Sequence, residues 1–294
     1  MSASPEVVIH RDPDLLAAAT AARMIIIILD AQAARGSASV VLTGGGIGVA
    51  TLRAVRDSPI VEAVDWGRVD IWWGDERFVP AGSADRNDRQ ARDALLDVLP
   101  LDPARVFTMG SADTAVAGGP EPDAEAVDTA AVADVAAADV AAAAEAAAAD
   151  YARLLAGHVP TGTTTDAVAV AVPSFDVLLL GVGPDGHVAS LFPGSPAVHA
   201  RAATVAVYQS PKPPPTRISL TLPAIQAARE VWLLAAGEAK ADAVASAFSG
   251  ASPTEIPAVG ACGRQRTLWL LDRAAAAGLA ITAGASPVHE GSTG

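Results

Sequence analysis

The chain has 294 residues, 51% of them hydrophobic, and a formal net charge of −13 from 33 acidic and 20 basic residues. This length and composition suffice for a large buried core, whereas the negative charge disfavours nucleic acid and anionic membranes as partners. The single cysteine excludes an internal disulfide and a thiolate metal cluster, and the longest aliphatic run, residues 24–29, is far shorter than the ~20 residues that span a bilayer.

The first elements predict a strand, a glycine-rich turn and a helix. A helix is predicted over residues 13–35, and residues 39–42 then predict a buried strand that runs into T-G-G-G-I-G at 43–48. A helical pattern follows over 49–56. Glycines between a strand and a helix let backbone N–H groups approach an anion at the helix amino terminus. A tight turn alone would explain these glycines equally well, and their spacing fits neither the dinucleotide fingerprint nor the P-loop.

Charged residues follow the next predicted strand. Residues 69–73 predict that strand, and G-D-E-R comes directly after it at 74–77. The carboxyl end of a strand is where open α/β sheets bind ligands, although a solvated, salt-bridged turn would give the same residues. A helix is predicted over 87–99 and a further short strand over 106–109.

The segment at about 112–150 is a low-complexity stretch rich in alanine, valine and aspartate. Alanine has the highest intrinsic helix propensity, so a helix is predicted over roughly 135–155. The earlier part, 112–135, is interpreted as a mobile surface insertion without chemistry of its own. We expect residues 1–294 to form one domain that carries this insertion.

An apolar strand and the loop after it organise the second half of the chain. The strand is predicted over 176–182, and the glycine-rich loop that follows contains Asp185 and His187. A histidine beyond the carboxyl end of a strand lies where ligands bind, and it can accept and return a proton near neutral pH. By itself, this pattern more often marks an ordinary strand end whose histidine is a satisfied loop residue.

The remaining elements alternate between strand and helix. They are a strand (204–207), a proline-rich loop (210–217), a strand (230–236), a helix (237–248) and a strand (267–271). Lys240 falls in the first turn of that helix, where a positive charge opposes the helix dipole unless an anion is bound. Strands alternating with helices predict a mostly parallel sheet covered on both faces, in a single-domain, three-layer α/β/α fold.

Four motifs, in this order, resemble the 6-phosphogluconolactonase family. They are G-G-G after the first sheet strand, W-W-G-D-E-R-F-V-P at 72–80, L-L-G-V-G-P-D-G-H-V-A-S-L-F-P-G at 179–194 and R-I-S-L-T-L-P-A-I at 217–225. The resemblance spans nearly the whole chain. It implies a modified Rossmann-like α/β/α fold, shared with glucosamine-6-phosphate deaminases, and hydrolysis of 6-phospho-D-glucono-1,5-lactone to 6-phosphogluconate in the oxidative pentose phosphate pathway. It implies no metal and no organic cofactor.

The resemblance also implies roles for individual residues. His187 is expected to activate water and then protonate the leaving oxygen, oriented by Asp185 or by the loop backbone, while Arg77 is one of the cationic groups for the carbonyl and the phosphate. The residues implied to bind the substrate or its phosphate are Gly44, Gly45, Gly46, Asp75, Glu76, Asn87, Arg217 and Lys240. The expected ligand is a phosphorylated sugar lactone, with no nucleic acid or membrane partner. Because no secretory signal pattern is visible in the sequence, we expect a cytoplasmic location. The expected oligomeric state is a monomer or a homodimer.

Two other functions on the same fold stay open. Glucosamine-6-phosphate deaminases share the G-x-D-G-H core, but they carry a glutamate where this chain has Phe192 and usually a tyrosine where it has Arg77. A non-catalytic sugar-phosphate-binding regulator would keep the phosphate groups and have no need of His187. The chain also departs from the lactonase pattern, since Ile47 stands where Ser or Thr is common and R-N-D replaces the frequent S-N-Y around Asn87. No G-x-S-x-G elbow for a serine nucleophile is present.

Overall fold

Two β-sheets form the framework of the protein, whose computed structural model describes residues 4–113, 129–159 and 170–279. The described strands are β1 (Glu6–His10), β2 (Ala38–Leu42), β3 (Val69–Trp73), β4 (Asp75–Arg77), β5 (Val177–Gly181), β6 (Thr204–Val207), β7 (Arg217–Leu220), β8 (Glu230–Ala235) and β9 (Arg266–Asp272). The larger sheet is entirely parallel, with the order β1-β9-β8-β5-β2-β3. The smaller sheet is antiparallel, with the order β4-β7-β6.

Helices cover both faces of the larger sheet. They are α1 (Pro13–Arg35), α2 (Gly45–Arg56), α3 (Asn87–Ala94), α4 (Thr129–Gly157), α5 (Leu222–Gln226) and α6 (Ala241–Phe248). The first helix shows how local sequence sets such bounds, because Asp12 caps it by accepting a hydrogen bond from the Leu15 backbone N–H and Gly36 ends it in the left-handed conformation. Within the described part of the chain, none of the helices has both the length and the hydrophobicity to cross a membrane.

Alternate residues of the parallel strands pack into two separate cores. Leu178 and Leu180 of β5 face the core covered by α4, α5 and α6, whereas Val177 and Leu179 face the core covered by α1, α2 and α3. Since the side chains of a strand point alternately to opposite faces, helices on both faces bury the inner strands of the sheet. The predicted three-layer α/β/α fold with a mostly parallel sheet is confirmed.

Several predicted elements differ from the observed ones. The prediction of a strand at 106–109 is wrong, because Val106 makes only an isolated bridge with Ile71. The helix predicted over 87–99 ends at Ala94 and is followed by a short 3₁₀ turn. The first strand, β1, was not predicted, because it is an edge strand whose residues are mostly exposed and lack the apolar run of a buried strand.

The alanine-rich segment contributes to the core in its later half. Ala144, Ala148 and Tyr151 of α4 are buried, and the Tyr151 hydroxyl accepts a hydrogen bond from the backbone N–H of Trp73 at 3.0 Å. Small alanine side chains let this helix lie close to the sheet. The predicted surface insertion at 112–135 lies for the most part outside the described residues, so it stays a prediction.

Candidate active site

A cavity of about 420 Å³ opens at the carboxyl-terminal edge of the larger sheet, where β2, β5 and β8 end. Nine of the residues predicted for the site line it: Gly44, Gly45, Gly46, Asp75, Arg77, Asn87, His187, Arg217 and Lys240. Two predicted residues, Asp185 and Glu76, do not line the cavity but support residues that do. Because loops after several parallel strands converge at one sheet edge, motifs far apart in the sequence meet here.

A tight turn after β5 presents His187 to the cavity. Gly186 has a positive φ of 80°, and a side chain at Gly183 would overlap both the His187 imidazole and the Asp185 carboxylate. This turn brings His187 Nδ1 into a hydrogen bond with Asp185 Oδ1. The histidine side chain is 14% exposed, and its ring packs against Phe192 with the ring centroids 4.6 Å apart. The glycines are therefore required for the close approach of the pair.

The protonation state of Asp185 determines which nitrogen of His187 is available. Burial acts to raise the pKa of Asp185, but the hydrogen bond and charge of His187 outweigh it and lower the pKa to about 2. An ionised carboxylate only accepts hydrogen bonds, so Nδ1 of His187 carries the proton that it shares with Asp185. Nε2 of the neutral ring is then a proton acceptor, as a general base requires.

The D-E-R residues form strand β4, which presents its side chains alternately to the cavity and away from it. Asp75 and Arg77 line the cavity, whereas Glu76 points to the amino terminus of α3. The Glu76 carboxylate accepts hydrogen bonds from the backbone N–H groups of Asn87 at 2.6 Å and Asp88 at 2.9 Å. Burial raises the pKa of Glu76, whereas the guanidinium of Arg86 and these N–H groups oppose that rise. Glu76 thus holds the start of α3, which carries Asn87.

A buried polar network fixes Asp75 beside the cavity. Asn87 Nδ2 donates to the Asp75 backbone oxygen at 2.8 Å and to its carboxylate at 3.2 Å, and the Ser190 hydroxyl donates to the same carboxylate at 2.6 Å. The amide of Asn87 lies so close to Gly44 that a side chain there would overlap it. The network therefore ties β4, α3 and the loop after β5 to the glycine turn.

The glycine turn leaves backbone N–H groups available at the amino terminus of α2. Gly44 is the N-cap of α2 and makes no side-chain capping bond, and Gly45 has a φ of 80° that favours glycine. Thr43 is linked to the end of β5, since its hydroxyl accepts a hydrogen bond from the Gly181 backbone N–H at 3.1 Å. The predicted anion cradle is geometrically available, and Ile47, rather than a hydroxyl residue, lines the cavity next to it.

Four cationic side chains line the cavity, and one of them was missed in the sequence analysis. They are Arg77, Lys212, Arg217 and Lys240. The missed residue, Lys212, lies in the proline-rich loop, where a single basic residue in a rigid segment ahead of Arg217 was the available signal. Lys240 is the N-cap of α6 after a 3₁₀ turn at Glu238–Lys240, so it precedes the helix rather than lying in its first turn.

Comparison with known proteins shows which family the chain resembles along most of its length. A family model described as glucosamine-6-phosphate isomerases/6-phosphogluconolactonase matches residues 11–269. A Streptomyces coelicolor protein named 6-phosphogluconolactonase is 57% identical over 280 residues, which cover 95% of this chain and 96% of that protein. A Mycobacterium tuberculosis protein of the same name is 46% identical, with 95% and 99% covered. The solved structure of 6-phosphogluconolactonase from Trypanosoma brucei matches with a TM-score of 0.74 at 30% identity, covering 94% of this chain and 99% of that one.

Proposed function

This chain belongs to the glucosamine-6-phosphate isomerase/6-phosphogluconolactonase family, and we propose that it hydrolyses 6-phospho-D-glucono-1,5-lactone to 6-phosphogluconate. The observation that carries the proposal is the hydrogen-bonded pair of His187 and ionised Asp185 beside a cavity lined by four cations. Relatives named 6-phosphogluconolactonase, 46% and 57% identical over nearly their whole length, support the same reaction. All the residues that carry the proposal come from one chain.

The proposed reaction needs one group that moves a proton twice. Nε2 of His187 removes a proton from water as the water oxygen attacks the lactone carbonyl carbon, which forms a tetrahedral intermediate. The bond from that carbon to the ring oxygen then breaks, and the imidazolium returns its proton to the ring oxygen, which leaves as a hydroxyl group. Asp185 stabilises the imidazolium between the two steps and holds the ring in one orientation.

The oxyanion and the phosphate need separate positive groups. Arg77 is the proposed partner of the oxyanion, and its guanidinium is held by a hydrogen bond from Nη1 to the Asp85 backbone oxygen at 2.6 Å. The N–H groups of the glycine turn and Lys240 are proposed to hold the phosphate. Asp75 holds Asn87 at the cavity wall, and Asn87 is proposed to contact the sugar.

A coupled assay tests this proposal. Freshly generated 6-phosphogluconolactone is supplied, acid release is followed, and the rate of spontaneous hydrolysis without enzyme is subtracted. Ammonia release from glucosamine 6-phosphate is measured in parallel with the same protein. We expect enzyme-dependent acid release and no ammonia. Ammonia release without lactone hydrolysis would reassign the chain to the deaminases, and neither activity would favour a binding protein.

A further inference from the structure

The carboxylate of Glu76 is buried behind the cavity wall, where it accepts hydrogen bonds from three backbone N–H groups. The donors are Arg77 at 2.8 Å, Asn87 at 2.6 Å and Asp88 at 2.9 Å. Glu76 is 1% exposed, whereas Arg77 and Asn87 both line the cavity. One buried side chain thus holds the backbone of two residues at the cavity wall.

Glu76 replaces a capping side chain at the start of α3. The N-cap residue of this helix is Arg86, whose side chain makes no capping bond because a guanidinium has no hydrogen-bond acceptor. Ser, Thr, Asp and Asn are the usual residues there, since their oxygens accept from the N–H groups of the first turn. Here the Glu76 carboxylate reaches those N–H groups from β4. The position of Asn87, the first residue of α3, therefore depends on Glu76.

Arg86 supplies the positive charge that a buried carboxylate needs. It is 2% exposed, and its Nη2 lies 3.6 Å from Glu76 Oε2. The guanidinium donates to the Met109 backbone oxygen at 2.8 Å, to the Gly110 backbone oxygen at 3.1 Å and to the Asp88 carboxylate at 2.9 Å. Because these bonds use several sides of the planar fork, they fix its position beside Glu76.

The charge of Arg86 favours the ionised form of Glu76. Burial raises the pKa of Glu76 to about 7, and Arg86 is the main group that opposes this rise, together with the backbone N–H donors. Other ionisable groups that interact with Glu76 are Asp88 of α3, Tyr151 of α4 and Arg217 of β7. Without Arg86 the pKa would rise further, and the protonated acid would present a donor where the carboxylate now accepts.

We infer that Glu76 and Arg86 are positioning residues: Glu76 fixes the backbone of Arg77 and Asn87 at the cavity wall, and Arg86 holds Glu76 ionised and in place. This inference rests on the proposed function for the identity of the reaction. Neither side chain lines the cavity. It gives Glu76, which the sequence predicts as a substrate-binding residue, an indirect role, and it gives a role to Arg86 in the R-N-D segment that departs from the family pattern.

Asn87 is the only asparagine of the chain, so its backbone can be observed alone. Cell-free synthesis with ¹⁵N-asparagine gives one backbone amide signal, which should lie far downfield because its N–H donates to a carboxylate at 2.6 Å. Glu76→Gln should move the signal upfield, since a neutral amide oxygen is a weaker acceptor. Arg86→Met should move it in the same direction. A signal that stays in place in either folded variant would overturn the inference.

The kinetic effect should fall on kcat. Glu76→Gln should lower kcat for the lactone about 10- to 100-fold and change KM less, because Arg77 is the proposed partner of an oxyanion that exists only in the transition state. Arg86→Met should also lower kcat, and Arg86→Lys, which retains the charge, should recover most of that loss. A charge-retaining lysine that fails to improve on Arg86→Met would contradict the role of Arg86.

A double variant tests whether Arg86 acts through Glu76. In Glu76→Gln/Arg86→Met, kcat should be close to that of Glu76→Gln alone, whereas losses that multiply would show an independent role for Arg86. The double variant removes both buried charges together, so it should fold even where Arg86→Met, which leaves Glu76 unpaired, does not. Arg105→Met is the matched control, since it breaks the ion pair with Asp70 of β3 at 3.0 Å and should leave kcat and the Asn87 signal unchanged.

The two readouts separate this inference from the proposed function. The Asn87 signal is measured without turnover. If it responds to both substitutions while the wild-type protein fails to hydrolyse the lactone, the positioning role is supported and the proposed function is rejected. Lactone hydrolysis at the wild-type kcat in folded Glu76→Gln would retain the proposed function and overturn the inference.

Discussion

Charged residues lie at both ends of the strands of the larger sheet. At the amino-terminal edge, where the strands begin, acidic and basic residues are paired, whereas two lysines at the carboxyl-terminal edge, where the strands end, have no ion-pair partner within the described residues. At the amino-terminal edge, Asp176 is 4% exposed, is bonded to Arg35 and to the Ser39 backbone N–H at 3.0 Å, and lies 3.8 Å from Arg229. At the carboxyl-terminal edge, Lys212 and Lys240 meet no such partner within the described residues.

A cavity is present at both edges, so a cavity alone does not identify a binding site. The one beside Asp176 measures about 320 Å³ and the one beside His187 about 420 Å³. In the first, Asp176 is paired with both arginines of the lining, Arg35 and Arg229, which stabilises the fold and leaves these charges less available to a ligand. In the second, neither Lys212 nor Lys240 has an ion-pair partner among the described residues, which costs stability and is typical of a functional site. Arg217 and His187 do have acidic partners, Asp75 at 4.0 Å and Asp185.

The largest expected effect belongs to His187 at the carboxyl-terminal edge. His187→Ala should lower kcat for the lactone by roughly 10²- to 10⁴-fold, because the same side chain carries both proton transfers. Initial rates above spontaneous hydrolysis measure the loss, and thermal unfolding should show a melting temperature close to that of the wild type. Near wild-type turnover would remove His187 from the mechanism.

The amino-terminal edge should show the reverse behaviour. Asp176→Ala leaves the Ser39 backbone N–H and two arginines without their shared partner, which should lower the free energy of unfolding by about 1–3 kcal/mol. Turnover below the melting temperature should be unchanged. Urea denaturation and the lactone assay measure the two quantities, and a loss of turnover in the folded variant would mean that the edges are not independent.

Replacing Asp185 tests the contribution of histidine orientation apart from that of proton transfer. Asp185→Asn should lower kcat by ~10-fold or more, but less than His187→Ala, because the histidine remains while the carboxylate that stabilises its charged form is lost. The low folded-state pKa means that the carboxylate's contribution is complete above its ordinary pKa of ~3.9 and disappears as the pH falls toward about 2. The downfield Nδ1 proton resonance of His187 should accordingly persist at pH 5, and its absence there would contradict this assignment.

A smaller effect is expected on the pH dependence of phosphate affinity, because Lys212 and Lys240 can lose their charge. Burial lowers the pKa of Lys212 as it does that of Lys240, so both ammonium groups lose their protons below the ordinary lysine pKa of ~10.4. Inorganic phosphate should therefore bind progressively more weakly as the pH rises from 8 toward 10, by about 10-fold for each ammonium lost. Dissociation constants for inorganic phosphate from isothermal titration calorimetry measure this change, and Lys212→Gln should flatten it. Constant affinity up to pH 10 would show that arginines hold the anion.

No effect is expected from metal removal. The described residues contain no group of three or more His, Cys, Asp or Glu side chains placed to hold a metal ion. Incubation with EDTA should leave lactone hydrolysis unchanged within the error of the assay. Activity that falls and is restored by zinc or magnesium would point to a ligand set not foreseen in this mechanism.

Features that depend on residues close together in the chain could be predicted from the sequence. The fold class follows from apolar strands alternating with helices, and the approach of Asp185 to His187 follows from a glycine-rich turn that spans three residues. The glycine turn before α2 was equally visible. In each case the information lies in local periodicity or in backbone freedom, which a single stretch of chain carries by itself.

The pairing of charges was decided only by the tertiary structure. The Ser190 hydroxyl meets the Asp75 carboxylate across 115 positions of sequence, and Arg35 meets Asp176 across 141. The sequence predicted both Glu76 and Arg217 as ligand-binding residues. Strand alternation turned Glu76 away from the cavity, whereas Arg217 lines the cavity and also donates to loop carbonyls, so its contact with the ligand stays a prediction. Whether a charge is satisfied depends on which distant groups converge on it, and no local pattern encodes that convergence.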